Sequence, residues 1–177
     1  MRFQIRLTAL AAVVLLASLC LLAQDRAAKL SARGDVQNPM EWSIEELKTQ
    51  FAGKIQDVKF LSGKEKQSRV GIGIPLLSVI QAAGLKTDKG IRHHDLKYMA
   101  IVEAYDSYQA FFSVAELMPE VGNAQAWLVW NVDGKPLPEK EAPLRLVVSS
   151  DQAGHRQIFG VVKIILVDGA KLAGQSK

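Results

Sequence analysis

The stretch AWLVWNV at residues 126–132, followed by Asp133-Gly134 and then by Pro136 and Pro138, restricts the possible folds more than any other part of this chain. Six of the seven residues in AWLVWNV are aromatic, β-branched or aliphatic, which favours an extended strand. Asp-Gly is a strong tight-turn signal, and the two prolines, which cannot donate to a sheet ladder, keep the next segment out of a central strand. Side chains three apart on a strand point to opposite faces. Trp127 therefore shares a face with Val129 and Trp130 with Leu128, so one tryptophan is expected in the core and the other along a groove or partner surface.

Other segments repeat this pattern. IQDVKFL alternates apolar and polar residues, as a half-buried strand does. LKYMAIVEA reads as a buried strand paired with YQAFFS across an Asp106-Ser107 turn, and LRLVVSS and QIFGVVKIILV supply two more. Short helices lie between them. Ser43 followed by Glu46 has capping-box spacing, and Ser113 followed by Glu116 repeats it ahead of VAELMP, which Pro119 closes. GIPLLSVIQAAGL carries Pro75 at the start of a helix and Gly84 at its end. Strands with interspersed short helices indicate one α+β domain built on a mixed sheet.

The N-terminus is of another kind. Arg2 and Arg6 precede an almost wholly apolar run from Leu7 to Leu22, and charges return at Asp25 and Arg26. That order is the pattern of a secretory signal peptide, and the run is shorter than the ~20 residues of a membrane span. Residues 1–23 are expected to be the leader, 24–39 a linker, 40–170 the folded domain and 171–177 a flexible tail. The protein is then periplasmic or secreted; a lipoprotein based on Cys20 and an uncleaved anchor are the lesser alternatives. Removing the leader takes two of the 22 basic residues and none of the 18 acidic ones, so the net charge falls from +4 to +2. Nothing there suggests nucleic acid, which needs a concentrated basic face. The single cysteine, Cys20, falls within the leader, so the remainder has no disulfide, no thiolate nucleophile and no cysteine metal ligand.

The order GIPLLSVIQAAGL, YDSYQAFFSVAEL and DGKPLPEKEAPLRLVVSSDQAGHRQIFGVVKI resembles the molybdopterin-binding domain of the sulfite-oxidase family over roughly residues 41–168. The resemblance implies an α+β fold with curved sheets and a molybdopterin cofactor. In catalytic members of that family a cysteine thiolate, a soft ligand, completes the molybdenum site. Here the corresponding segment is FLSGKEK, with Leu61 at the cysteine's place and Ser62 and Gly63 after it. The family's Gly-x-Arg-x-Val-Lys-Trp loop is met by GHRQIFG, which keeps Gly154 and Arg156 but has Phe159 and Gly160 where Lys and Trp are usual.

The candidate cofactor-binding residues are Arg156, His155, Gly154, Ser62 and Tyr105; no catalytic residue and no metal ligand is nominated. Arg156 is able to make a bidentate contact to a phosphate or another oxyanion, or to pair with Asp151. Gly154 admits close backbone approach, and Tyr105 lies in the segment that resembles the family's cleft-side Asp-Gly-Tyr. His93, His94 and Asp95 lack further ligands at a familiar spacing and are expected to decorate a polar loop. No serine nucleophile elbow, phosphate-binding loop or Gly-x-Gly-x-x-Gly motif appears. The leading expectation is an exported pterin- or oxyanion-binding or sensory module, leaning away from catalysis and signalling to a membrane partner. Molybdopterin is the candidate cofactor, and the missing thiolate argues against molybdenum. The alternatives are an active molybdenum oxidoreductase with a non-cysteine ligand such as Ser62, and a protein-interaction scaffold without a small ligand.

Overall fold

A computed structural model describes residues 29–63 and 65–174. The expected leader, with Cys20, lies outside the described residues. The elements run β1 (Leu30–Gly34), β2 (Met40–Trp42), α1 (Ile44–Gln50), β3 (Gln56–Ser62), β4 (Gln67–Pro75), α2 (Leu76–Ala83), β5 (Tyr98–Ala104), β6 (Gln109–Ser113), α3 (Val114–Leu117), β7 (Ala126–Val132), β8 (Lys135–Pro136), β9 (Arg145–Val148), β10 (Val161–Asp168) and α4 (Gly169–Leu172). They form a single α+β domain with two sheets. The first sheet has the order β2-β1-β10-β5-β6 and is antiparallel except where β1 lies parallel to β10. The second has the order β3-β4-β7-β8, with β9 also paired to β7.

The burial pattern follows from strand alternation. On β5, Tyr98, Ala100, Val102 and Ala104 face inward, and they meet Ile164 and Leu166 of β10 and Ala32 of β1 in the main core. α2 closes this core with Leu76, Val79, Ile80 and Ala83. The continuous apolar run on β7 is explained by burial on both sides. Ala126 and Leu128 enter the main core, whereas Trp127 and Val129 join Val58, Phe60, Val132 and Val147 in a second, smaller cluster. The two tryptophans do face opposite sides. Trp130 is half-buried against the main core, with Lys48 Nζ 5.8 Å from its ring centroid.

The local signals hold where backbone needs and packing agree. Ser43 and Glu46 form both halves of the capping box at α1. α2 starts after Pro75 and stops at Gly84, whose φ of 66° suits glycine. Asp133 and Gly134 take φ of 51° and 73° between β7 and β8, the twist that lets two strands turn tightly. The Ser113 box does not form: Ser113 makes no side-chain cap at α3, because Glu116 is drawn to Arg156 instead.

The expected linker over residues 24–39 does not extend past Lys29. Leu30 and Val36 are fully buried and Ala32 is 1% exposed, because β1 finds its parallel partner in β10, with Ser31 opposite Lys163. The expected tail is likewise shorter, since Lys171 and Leu172 belong to α4. Asp35 fastens these two ends together. Its carboxylate accepts from the Asp168 backbone N–H at 2.9 Å and from Lys171 Nζ at 2.5 Å. These contacts, the lysine's foremost, hold the Asp35 carboxyl below the usual carboxylate range.

His94 also departs from the expected polar loop. It is 5% exposed, with Nδ1 accepting from the Asp88 N–H at 2.7 Å and Nε2 3.0 Å from Oδ1 of the buried Asp168. A ring whose Nδ1 accepts carries its proton on Nε2, and this buried Nε2 lies near the carboxylate without a hydrogen bond to it. The nearby Tyr98 hydroxyl donates to the Lys86 carbonyl at 2.6 Å, and burial, followed by Asp168, pushes it up to about 12.

Two expected outcomes follow from this architecture. A chain starting at Lys29 should unfold cooperatively, whereas one starting at Met40 should lose the fold, because Leu30 and Val36 alone remove two buried side chains worth ~1.5–3 kcal/mol each; far- and near-ultraviolet circular dichroism of both chains reads this. The second concerns acid. A depressed folded-state value means that the Asp35 contribution is complete above its unfolded value of about 3.9 and disappears as pH falls through the lower folded value. Asp35→Asn should therefore be less stable at neutral pH and lose stability less steeply below about pH 4. Urea midpoints across that range decide the point, and an unchanged slope would exclude the Asp35 contribution.

Candidate functional site

The corner suggested by the sequence forms where the end of β3 meets the segment that leaves β9. β3 finishes at Leu61 and Ser62, and the turn to β4 takes positive φ at Gly63 (72°) and Lys66 (52°). β9 brings up Arg145, a charged side chain in an otherwise apolar strand, with only 3% of its surface exposed. A buried charge needs partners, and these partners organise the corner. One terminal nitrogen of Arg145 donates to Ser62 Oγ and to Gln157 Oε1, both at 2.7 Å, and the other to Glu141 at 3.1 Å. The guanidinium carbon lies 5.0 Å from the Phe60 ring centroid and 4.6 Å from that of Phe159. Burial pulls the Arg145 value down and Glu141 works against that pull. Gln157 passes the constraint onward by donating through Nε2 to the Leu61 carbonyl.

Between β9 and β10 the chain changes sheets. Leu146 and Ile158 exchange backbone hydrogen bonds at 2.8 and 3.2 Å before residue 161 enters the first sheet. The intervening loop carries Gly154, His155 and Arg156. Arg156 does not project freely. Its Nε and one terminal nitrogen grip Asp151 at 3.0 and 2.6 Å, the other terminal nitrogen donates to Glu116 at 3.0 Å, and the group lies 4.9 Å from the Phe112 centroid. Asp151 first, then Glu116, hold its value above the ordinary one, against some desolvation. With two carboxylates already on it, Arg156 presents no net positive charge to an incoming anion.

The sequence candidates thus divide. Gly154 and His155 line an open hollow of ≈ 480 Å³, together with Gly63, Lys66 and Ala153. Ser62 adjoins it in the chain, but its hydroxyl is taken by Arg145. Tyr105 is not among the residues that line the hollow. It is 59% exposed, its hydroxyl donates to the Lys140 carbonyl at 3.2 Å, and its ring packs on Gly160, where an added Cβ would come within 2.1 Å of a ring carbon. Sequence reasoning missed Arg145, Gln157 and Lys66. The available signal was Arg145 itself, since a charge within LRLVV either faces water or demands buried partners.

The donor set bears on the implied cofactor. Residues 24–177 contain no cysteine, and Leu61 at the end of β3 offers only hydrocarbon. Among the described residues no group of three or more His, Cys, Asp or Glu is placed to hold a metal ion. These residues do not fit a molybdenum bound through the protein. The hollow does suit the anionic end of a ligand, because Lys66 and His155 are exposed at its edge and Lys66 makes no ion pair among the described residues.

No curated protein matches the chain. Among solved structures it is similar to the sulfane dehydrogenase SoxCD from Paracoccus pantotrophus, at 18% identity with a TM-score of 0.59, over 79% of this chain and 38% of that one. The likeness is one of fold, and this chain spans well under half the length of that relative. The family model described as the oxidoreductase molybdopterin binding domain matches residues 22–171. By that match the chain belongs to the oxidoreductase molybdopterin-binding domain family.

Proposed function

We propose that this protein is an exported member of the family that works as a ligand-binding or sensory module and not as a molybdenum enzyme. One observation carries the reading: residues 24–177 contain no cysteine, and in the segment that resembles the family's thiolate segment Leu61 is followed by Ser62, whose hydroxyl is bound to the buried Arg145. A soft, thiolate-seeking metal therefore meets no suitable protein ligand. The ligand is an anion of pterin or simpler oxyanion type, received by Lys66, His155 and the backbone at Gly63 and Gly154. Positive φ at Gly63 opens the backbone there to close approach. Arg156 has a structural part in this reading, keeping the loop in place through Asp151 and Glu116. Export rests on the signal-like N-terminus, and a membrane-borne partner would read the bound state.

A scaffold reading has one observation in its favour. Tyr105, Tyr108, Phe111 and Phe159 are 46–59% exposed, and exposed aromatic side chains are enriched where proteins meet.

The deciding measurement is molybdenum content with pterin fluorescence, on full-length protein expressed in a host that makes the cofactor. The binding reading expects less than stoichiometric metal, and pterin or phosphate affinity that falls about ten-fold in Lys66→Ala with His155→Ala, the loss of one charge-assisted contact. Stoichiometric molybdenum that disappears in Ser62→Ala would instead establish an oxygen-ligated enzyme. No small ligand, with binding to a protein lost in Tyr105→Ala and Phe159→Ala, would establish the scaffold.

A further inference from the structure

A second hollow, of ≈ 450 Å³, opens at the other end of β3 and is lined in part by Lys54, Gln56, Ser78, Gln81, Glu120 and Trp127. Gln56 here and Ser62 at the corner already described are the two ends of β3, six rises of ~3.3 Å or roughly 20 Å apart. The volume falls in the range of small-ligand sites, about 300–1,000 Å³. Its chemistry is unlike that of the first corner. Lys54 and Glu120 bring opposite charges, while Gln56 and Gln81 bring neutral carboxamides. Among the described residues none of these four side chains has a hydrogen-bond or ion-pair partner. The indole N–H of Trp127, a residue 8% exposed, is likewise buried without a partner. α2 begins beside the hollow at Leu76 behind Pro75, and no side chain caps it, so its free N–H groups and positive end favour a carboxylate.

We propose that this hollow binds a short peptide with free termini. The ligand's carboxylate goes to Lys54 and the start of α2, and its ammonium goes to Glu120. Carboxamides present an acceptor oxygen and donor N–H side by side, which matches the peptide groups between the two termini. The opposite charges select a zwitterion over the anions suited to the first corner. The rim is held ready by the loop after α3, where the Gly122 and Ala124 N–H groups donate to Ala115 and Glu116 carbonyls at 3.3 and 2.7 Å. An added Cβ at Gly122 would come 2.5 Å from the Glu116 backbone. A rim fixed in advance spares a ligand the cost of ordering it.

Calorimetric titration of the full chain with trialanine tests the proposal, with N-acetylated and C-amidated trialanine and maltotriose as comparison probes. Saturable binding of trialanine is expected, weakened about ten-fold by blocking either terminus, by Lys54→Ala or by Glu120→Gln, each removing one charge-assisted contact. Both residues are exposed, so both variants should keep the parent urea midpoint. Lys66→Ala with His155→Ala should leave trialanine binding intact, which separates this site from the first corner. Absence of saturable binding, equal binding of the blocked peptides, or preference for maltotriose would each overturn the proposal.

Discussion

The guanidinium of Arg145 is an ion taken out of water, and much of the candidate corner answers that single demand. Removing one partner of a buried charge is far more costly than losing an exposed pair, on the order of 3–5 kcal/mol. Glu141 from the segment before β9, Ser62 from the end of β3 and Gln157 from the crossover all converge on it, while Phe60 and Phe159 cover its faces. The contacts join stretches of chain up to 83 residues apart. The shape of the Leu61–Ser62 segment is therefore set by the needs of a cation, whatever ligand comes to the neighbouring hollow.

Family membership and local chemistry give different kinds of information here. The family match covers residues 22–171, so the two-sheet framework is the family's. What the corner can coordinate depends on a few atoms, and at the end of β3 these are the hydrocarbon of Leu61 and a Ser62 hydroxyl engaged by Arg145. A fold can host several functions because its sites are grafted onto it, so family membership alone does not fix what this corner binds.

Much of the architecture was legible in the sequence because its signals were local. The β7 run, the Asp133-Gly134 turn, the Ser43–Glu46 cap and the Pro75-to-Gly84 helix each need only neighbouring residues to take effect. The failures were of another sort. LSARG in β1 has weak periodicity and becomes a strand through pairing with β10. Ser113 and Glu116 have cap spacing, but Glu116 is claimed by Arg156 from 40 residues away. His94 looked like a loop residue because its partner, Asp168, is distant in the chain. In the site, the Gly154–Arg156 loop between two strands was legible and the Asp151 pairing of Arg156 was one of its two expected states, whereas Glu116, 40 residues away, was not foreseen.

The pairing of β1 with β10 also sets an order of assembly. Ser31 lies against Lys163 and Gly34 against Leu166, so the first described strand must wait for the last before either is complete. Contacts of such long sequence separation close large loops before they gain any stabilisation, and they slow folding accordingly. β10 also supplies the ladder for β5, so the first sheet lacks its middle until nearly the whole chain is present. In a growing chain the second sheet therefore has all its strands first, and the first sheet closes only when β10 arrives.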